Sequence, residues 1–288
     1  MTPEGNTRSD TVASVSDVPT PDVPTPDVMV TDALGTYLSI LDSVDPELVE
    51  GLYVVGSYAL GDWVPGASDI DVVVVTAEPA TDDDFGTLRT AHALLDERLP
   101  RPFVDGPYLA WGDLVAEPAT GLHRPWSLDG QLHHDGECFE ISPITWYTLA
   151  KYGLTVRGPA AETLGIPTDV DARIRFVVDN LHGYWATVAD DVEAACARSP
   201  DATFNGPSFV WCALGALRLH YTAFTGDVTS KRGAGVHGLG SAPAVLHSAI
   251  EEAMAMREAG EVGEAPRALM LDTAAIIRWV IDDVADAV

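Results

Sequence analysis

Gly56-Ser57-Tyr58-Ala59-Leu60-Gly61-Asp62-Trp63, followed by Ser68-Asp69-Ile70-Asp71 and the apolar run Val72 to Val75, is the stretch on which the fold turns. Asp69 and Asp71 stand two apart at the head of a β-branched run. Alternate residues of a strand face the same side, so both carboxylates project together. Placed this way they can share a divalent cation, and Mg²⁺ is held by one or two carboxylates together with waters and substrate phosphates. The preceding turn suits those phosphates. Gly56 admits close approach of the backbone to an anion, Ser57 adds a hydroxyl donor, and Tyr58 to Gly61 can open a short helix with its amides toward the anion. A Gly-Ser pair alone is commonly an ordinary turn, and an Asp-x-Asp pair alone is commonly solvated charge. The order strand, Gly-Ser, short helix, loop, Asp-x-Asp strand predicts a site for a nucleoside triphosphate and its metal.

The motifs GSYALGDW and SDIDVVVV resemble those of the nucleotidyltransferases of the polymerase β type. More narrowly, they are similar to those of the aminoglycoside adenylyltransferases that modify streptomycin and spectinomycin. Further matches follow in chain order. Asp105, in Phe103-Val104-Asp105-Gly106-Pro107-Tyr108, falls where the family has its third acidic residue; Leu154 to Pro159 (LTVRGP) resembles the strand before its helical domain. Arg218 and Lys231 lie in RLHYTAFTGDVTSK, similar to the family's helix, Thr-Gly turn and downstream lysine.

The similarity runs from about Leu34 to about Arg257. It implies an α/β nucleotidyltransferase domain, a mixed sheet with helices, followed by an all-α helical bundle domain, with ATP and the drug between them. The implied reaction is Mg²⁺-dependent transfer of AMP from ATP to an aminoglycoside hydroxyl, with release of pyrophosphate. Asp69 and Asp71 would hold the metals, and Asp105 would be a third ligand or the base. Gly56, Ser57, Arg218 and Lys231 would contact the nucleotide. Two departures stand out. Asp105 is one methylene shorter than the glutamate usual in the drug-modifying members, and around Asp201 to Ser208 the family's acidic and aromatic drug-binding pattern is not matched.

Arg218 also draws attention by its own setting. It lies mid-helix among apolar residues, where an unpaired guanidinium is costly if buried, so it needs an anionic partner. A structural salt bridge would serve equally. Nucleotidyl transfer places charge on the leaving oxygens, where cations are needed.

The formal net charge is -28, and Lys151 and Lys231 are the only lysines. Such a surface argues against a nucleic-acid backbone as partner. It attracts a cationic small molecule such as an aminoglycoside, and repels ATP unless Mg²⁺ and local basic residues offset the field. Adaptation to high intracellular salt would give the same composition. With 288 residues, 47% of them hydrophobic, the chain can build two cores. Cys138, Cys196 and Cys212 are scattered, without CxxC spacing, and read as buried thiols in a reducing cytoplasm. No transmembrane segment or signal peptide is indicated. The protein is expected to be cytoplasmic and monomeric.

Residues 1–30, with the near repeat PTPDVPTPDV, read as a disordered tail. The nucleotidyltransferase domain is expected over 31–158, opening with a helix capped by Thr31 or Asp32, and the helical domain over 159–288. Pro107 predicts an edge or bulged strand for Phe103 to Ala110. His133-His134-Asp135-Gly136 is read as a hairpin turn, in preference to a metal site with His123. Helices are expected over about 170–197, 207–224, 242–258 and 267–288.

Other function classes remain open at this level. Toxin–antitoxin nucleotidyltransferases act on protein or RNA, and their RNase-like helical partners have an arginine and a histidine a few residues apart, as Arg175 and His182 are here. A nucleotide-binding regulator without turnover would need fewer acids than Asp69, Asp71 and Asp105.

Overall fold

Val72, Val73, Val74 and Val75 are all fully buried, so the strand they form is covered on both faces. They belong to a computed structural model that describes residues 25–118, 122–134 and 136–287. The first part runs α1 (Pro26–Val44), β1 (Gly51–Val54), α2 (Gly56–Ala59), β2 (Ile70–Thr76), α3 (Asp82–Arg98), β3 (Val104–Ala110), α4 (Trp111–Leu114), β4 (Trp126–Leu128), β5 (Gln131–His133), α5 (Pro143–Tyr152) and β6 (Leu154–Arg157). Its strands form one mixed sheet in the order β5-β4-β3-β2-β1-β6. Among the described residues only β2 and β3 pair in parallel, and α3 is the crossover between them. Thr81 and Asp84 close a capping box at the start of α3.

One face of the sheet packs Val72 and Val74 against Leu34, Tyr37 and Leu41 of α1 and Leu88 and Leu95 of α3. The other packs Tyr53, Val73, Val75 and Leu109 against Trp146 and Leu149 of α5. The second part comprises α6 (Val170–Asn180), a π-helical turn (Leu181–Trp185), α7 (Ala186–Arg198), β7 (Thr203–Asn205), α8 (Gly206–Thr225), α9 (Lys231–Ser241), α10 (His247–Glu258), β8 (Glu264–Pro266) and α11 (Arg267–Ala287). Apart from the β7-β8 ribbon it is helical, with its core around Phe209, Leu214, Leu217, Ile250, Ile276 and Ile277. The expected architecture, a mixed sheet with helices followed by a helical part, is the one observed.

Several local expectations change. The first helix starts at Pro26, ahead of Thr31, because Val30 and Ala33 are already buried on its inner face. Residues 1–24 of the expected tail lie outside the described residues. β3 is an interior strand between β2 and β4. Pro107 fits there because the ladder to β2 pairs Asp71 with Asp105 and Val74 with Tyr108 but lapses between them. Toward β4, Gly106 and Tyr108 still donate, to Ser127 Oγ and the Pro125 carbonyl.

The hairpin turn is Asp129-Gly130, not the segment from His133. Both residues have positive φ, 51° and 74°, which matches the twist of a two-residue β-hairpin loop. Of HHDG, Asp135 lies outside the described residues. α9 was not expected because its sequence KRGAGVHGLGS is rich in a poor helix former. Packing explains it: a β-carbon on Gly235 would sit 2.5 Å from Met254 Sδ, and one on Gly238 2.8 Å from Leu217 Cδ1. The three cysteines are free and buried. Among the described residues no helix is long and apolar enough to cross a membrane.

Candidate active site

β1 ends in a turn whose first residue, Gly56, has φ 59°, and α2 begins there directly. The turn lies against β2: Val55 N donates to the Asp71 carbonyl, and Ser57 N to Asp71 Oδ2 at 3.3 Å. The Ser57 amide thus serves the Asp71 carboxylate, and the Ser57 hydroxyl is the group that the sequence assigned to phosphate. Burial raises the Asp71 pKa, opposed by the Ser57 amide and by the charge of Arg218.

Parallel pairing sets Asp105 in register with Asp71, which brings the third acid beside the first pair. Both Asp105 oxygens are held by the hairpin: Asp129 N donates to Oδ2 at 2.8 Å and Gly130 N to Oδ1 at 3.1 Å. Burial nonetheless pushes its pKa up to about 6, with Asp69 and Asp71 adding repulsion. Asp69 pairs with Arg101 Nη1 at 3.1 Å, yet burial raises its pKa too. Carboxylate oxygens of Asp69, Asp105 and Asp129 lie within 4.8 Å of one another. An all-oxygen donor set of this kind fits a hard divalent cation.

Asp69 and Asp71 share a cleft of about 410 Å³ with Arg218, Lys231 and Arg257. Arg218 Nε donates to the Thr229 carbonyl, and burial lowers its pKa against the pull of Asp71. Lys231 opens α9 and lies 3.4 Å from Glu261 Oε1; burial lowers its pKa as well. Arg257 is buried and pairs with the same Glu261 oxygen at 2.7 Å. It also donates to the Asp62 carbonyl and Ser68 Oγ, bolting α10 to the loop that leads into β2. Its buried Nε makes no hydrogen bond but lies 3.5 Å from Asp62 Oδ2. The Arg232 side chain makes an exposed pair with Glu258 at 3.7 Å, and its backbone N donates to Asp62 Oδ2 at 3.1 Å.

Sequence reasoning missed Asp129, Arg257 and Glu140. Asp129 and its glycine were visible as a DG turn flanked by Ser127-Leu128 and Gln131-Leu132. Arg257, an arginine in the apolar pattern MAMRE, offered the signal that singled out Arg218. Glu140 lines the cleft with Phe139, Phe176, Trp185 and Trp211. Nothing in its local sequence marks it.

Arg175 and His182 lie elsewhere, beside Asp179 on a separate surface cavity. The histidines of the middle segment take packing roles. His133 stacks on Trp126, His134 packs at a tilt against Phe85 and lies 3.4 Å from Asp82 Oδ1, and His123 Nδ1 bonds the Gly136 carbonyl.

Residues 36–104 match the model of the family described as nucleotidyltransferase domain, a span that includes Gly56, Ser57, Asp69 and Asp71 and stops one residue short of Asp105. No curated protein matches the chain significantly. Among solved structures, the fold is similar to that of spectinomycin adenyltransferase AAD(9) from Enterococcus faecialis with ATP and spectinomycin. The TM-score is 0.63 at 15% identity, over 88% of this chain and 99% of that one. The match to a nucleotidyltransferase domain thus falls on the segment that carries the Gly-Ser turn and the Asp-x-Asp strand, and the fold of the chain as a whole is similar to that of an adenyltransferase.

Proposed function

We propose that this nucleotidyltransferase transfers AMP from ATP to a hydroxyl of an aminoglycoside such as streptomycin or spectinomycin, releasing pyrophosphate. The observation behind this reading is the polarity of the cleft. Asp69 and Asp71 line it from β2, with Asp105 in register beside Asp71 on β3, and Arg218, Lys231 and Arg257 line it from the helical part. That division suits a polyanion bridged to metal at one end and to cations at the other. The neighbour AAD(9) was solved with ATP and spectinomycin, which supports the same class of co-substrate and acceptor.

Asp69 and Asp71 would hold Mg²⁺, with Asp129 at the rim. When bound, the ion neutralises phosphate charge and polarises the phosphoryl oxygens. Arg218 and Lys231 then orient the triphosphate and balance the charge that builds on the departing pyrophosphate. The acceptor oxygen bonds to the α-phosphorus as the bond to the β-phosphate oxygen breaks. Asp105 receives the hydroxyl proton: a carboxyl group with a pKa of about 6 is mostly ionised at neutral pH and still basic enough to take a proton. Its orientation is fixed by the Asp129 and Gly130 amides.

The test is pyrophosphate release from ATP and Mg²⁺ with a panel of aminoglycosides and spectinomycin, and mass spectrometry of each product for added AMP. Pyrophosphate release with none of these acceptors, in a protein that binds Mg²⁺-ATP, would remove the aminoglycoside and keep the nucleotidyltransferase.

A further inference from the structure

Asp62 follows directly on the Gly-Ser turn and its short helix, and its place is set by how α2 ends. Gly61, at φ 69°, donates its amide to the Tyr58 carbonyl at 3.0 Å, and Asp62 N donates to the Ser57 carbonyl at 2.8 Å. These two bonds are a Schellman cap, with the glycine at its left-handed position. The Asp62 backbone is thereby fixed against the turn that contains Ser57.

The remaining contacts of Asp62 come from the helical part. Arg232 N donates to Asp62 Oδ2 at 3.1 Å, Arg257 Nε lies 3.5 Å from the same oxygen, and Arg257 Nη2 donates to the Asp62 carbonyl at 2.9 Å. The Asp62 side chain is only 12% exposed, so these contacts are made largely out of water. A carboxylate at the first turn of α9 satisfies an amide that has no partner within the helix, and it lies at the favourable end of the helix dipole.

An ion pair that served stability alone would need to join side chains only. Asp62 holds main chain as well: the amide it accepts from belongs to the second residue of α9. Lys231 is the first residue, one peptide plane away, and it lines the cleft with Ser57, Asp71 and Arg218. A second route reaches the lysine's ammonium group. Arg257 Nη1 and Lys231 Nζ share Glu261 Oε1, at 2.7 and 3.4 Å. Asp62 is thus bonded on one side to the turn and on the other to the segment that presents a cation to the cleft.

We propose that Asp62 is a positioning residue for nucleotide binding, tying the turn at Ser57 to the first turn of α9 so that Lys231 is held at the cleft. This rests on the reading of the cleft as the ATP site with Lys231 as a phosphate contact, and deepens it by naming what sets the lysine's place.

The experiment is calorimetry with Mg²⁺-ATP on the full chain and on Asp62→Ala, Asp62→Asn, Lys231→Ala and the double variant Asp62→Ala with Lys231→Ala. Asp62→Ala should lose ~10-fold or more in affinity, up to the loss of one charge-assisted contact. Asp62→Asn keeps an oxygen for the Arg232 amide and should recover most of it. The double variant should bind within ~2-fold of Lys231→Ala alone, because the acid acts through the lysine. Additive losses overturn the proposal, as does wild-type affinity in Asp62→Ala or an Asp62→Asn protein as weak as Asp62→Ala. Amide hydrogen exchange without nucleotide tests the tie itself: the Arg232 amide should be protected in the wild-type chain and exchange ~10-fold faster or more in Asp62→Ala. A fast-exchanging Arg232 amide in the wild-type chain overturns the tie, and that reading requires no variant to fold. Protection at Arg232 together with wild-type ATP affinity in Lys231→Ala rejects the phosphate reading of Lys231, and the positioning role falls with it. A normal loss in Lys231→Ala beside wild-type affinity in Asp62→Ala rejects the positioning role alone.

Discussion

The carboxylate of Asp71 fills the space beside Gly56: a β-carbon on Gly56 would lie 1.8 Å from Asp71 Oδ2. The glycine is therefore required twice, by its φ of 59° and by the acid packed on it. Gly56→Ala should cost about 1 to 2 kcal/mol of stability through the left-handed conformation alone. It should also displace Asp71 and lower turnover by ~100-fold or more, since small misplacements of a catalytic group have effects of that size. Wild-type kcat in a folded Gly56→Ala protein would show that the position of Asp71 does not limit the reaction.

Asp69→Asn and Asp71→Asn should each leave the circular dichroism spectrum unchanged and reduce Mg²⁺-dependent transfer by ~10³-fold or more, as expected of groups that act as a unit. Near-normal turnover in either variant would remove the metal-binding assignment.

Arg218→Ala and Lys231→Ala should weaken ATP binding by ~10- to 100-fold, the loss of one charge-assisted contact to phosphate, and leave binding of a cationic acceptor nearly unchanged. Calorimetry with each ligand separates the outcomes. A drop in acceptor affinity with ATP unaffected would mean that the helical side of the cleft receives the acceptor instead.

Arg257 is predicted to matter for stability before catalysis. Arg257→Met removes the main partner of buried Glu261 and unhooks the 62–68 loop, at a cost of about 3 to 5 kcal/mol for breaking a buried pair from one side. Urea unfolding measures it. A change below about 1 kcal/mol would place Arg257 with ordinary surface charges.

His92 should leave a signature in the pH dependence of stability. Its Nε2 lies 2.6 Å from Tyr108 Oη, and burial lowers its pKa from 6.5 to about 4. Between those values the unfolded chain binds a proton that the folded chain refuses, so stability falls as pH drops, by up to about 3 kcal/mol at pH 4. Asp105 acts in the opposite sense: its folded pKa of about 6 exceeds its unfolded value, so its contribution is present below pH 3.8 and lost as pH rises through 6. The difference between wild type and His92→Gln isolates the histidine. A pH-independent difference would contradict its burial as a neutral ring.

Much of the sheet could be read from residue pattern because its constraints are local. Val72 to Val75 announce a strand covered on both faces, and Asp69 and Asp71 acquire a common face from strand periodicity alone. Asp105 was reachable through resemblance, and its register with Asp71 follows from the parallel pairing. Glu140, Arg257 and Glu261 were not legible, since each depends on contacts between segments far apart in the chain. Glu261, at φ 58° and buried, is where it is because two cations meet there. The hairpin was misplaced for a different reason. Two candidate DG steps lie close together, and only the shorter spacing between flanking strands distinguishes Asp129-Gly130.

The hold of the Asp129-Gly130 turn on Asp105 restricts how this protein can diverge. Two backbone amides, supplied by consecutive residues of a two-residue loop, set the orientation of the acid. An inserted or deleted residue in that loop would move both donors at once, whatever side chains it carried. Length changes among homologues should therefore fall on either side of the hairpin, in the segment from β3 to β4 or between β5 and α5. Changes of length there leave both amide donors to Asp105 in place.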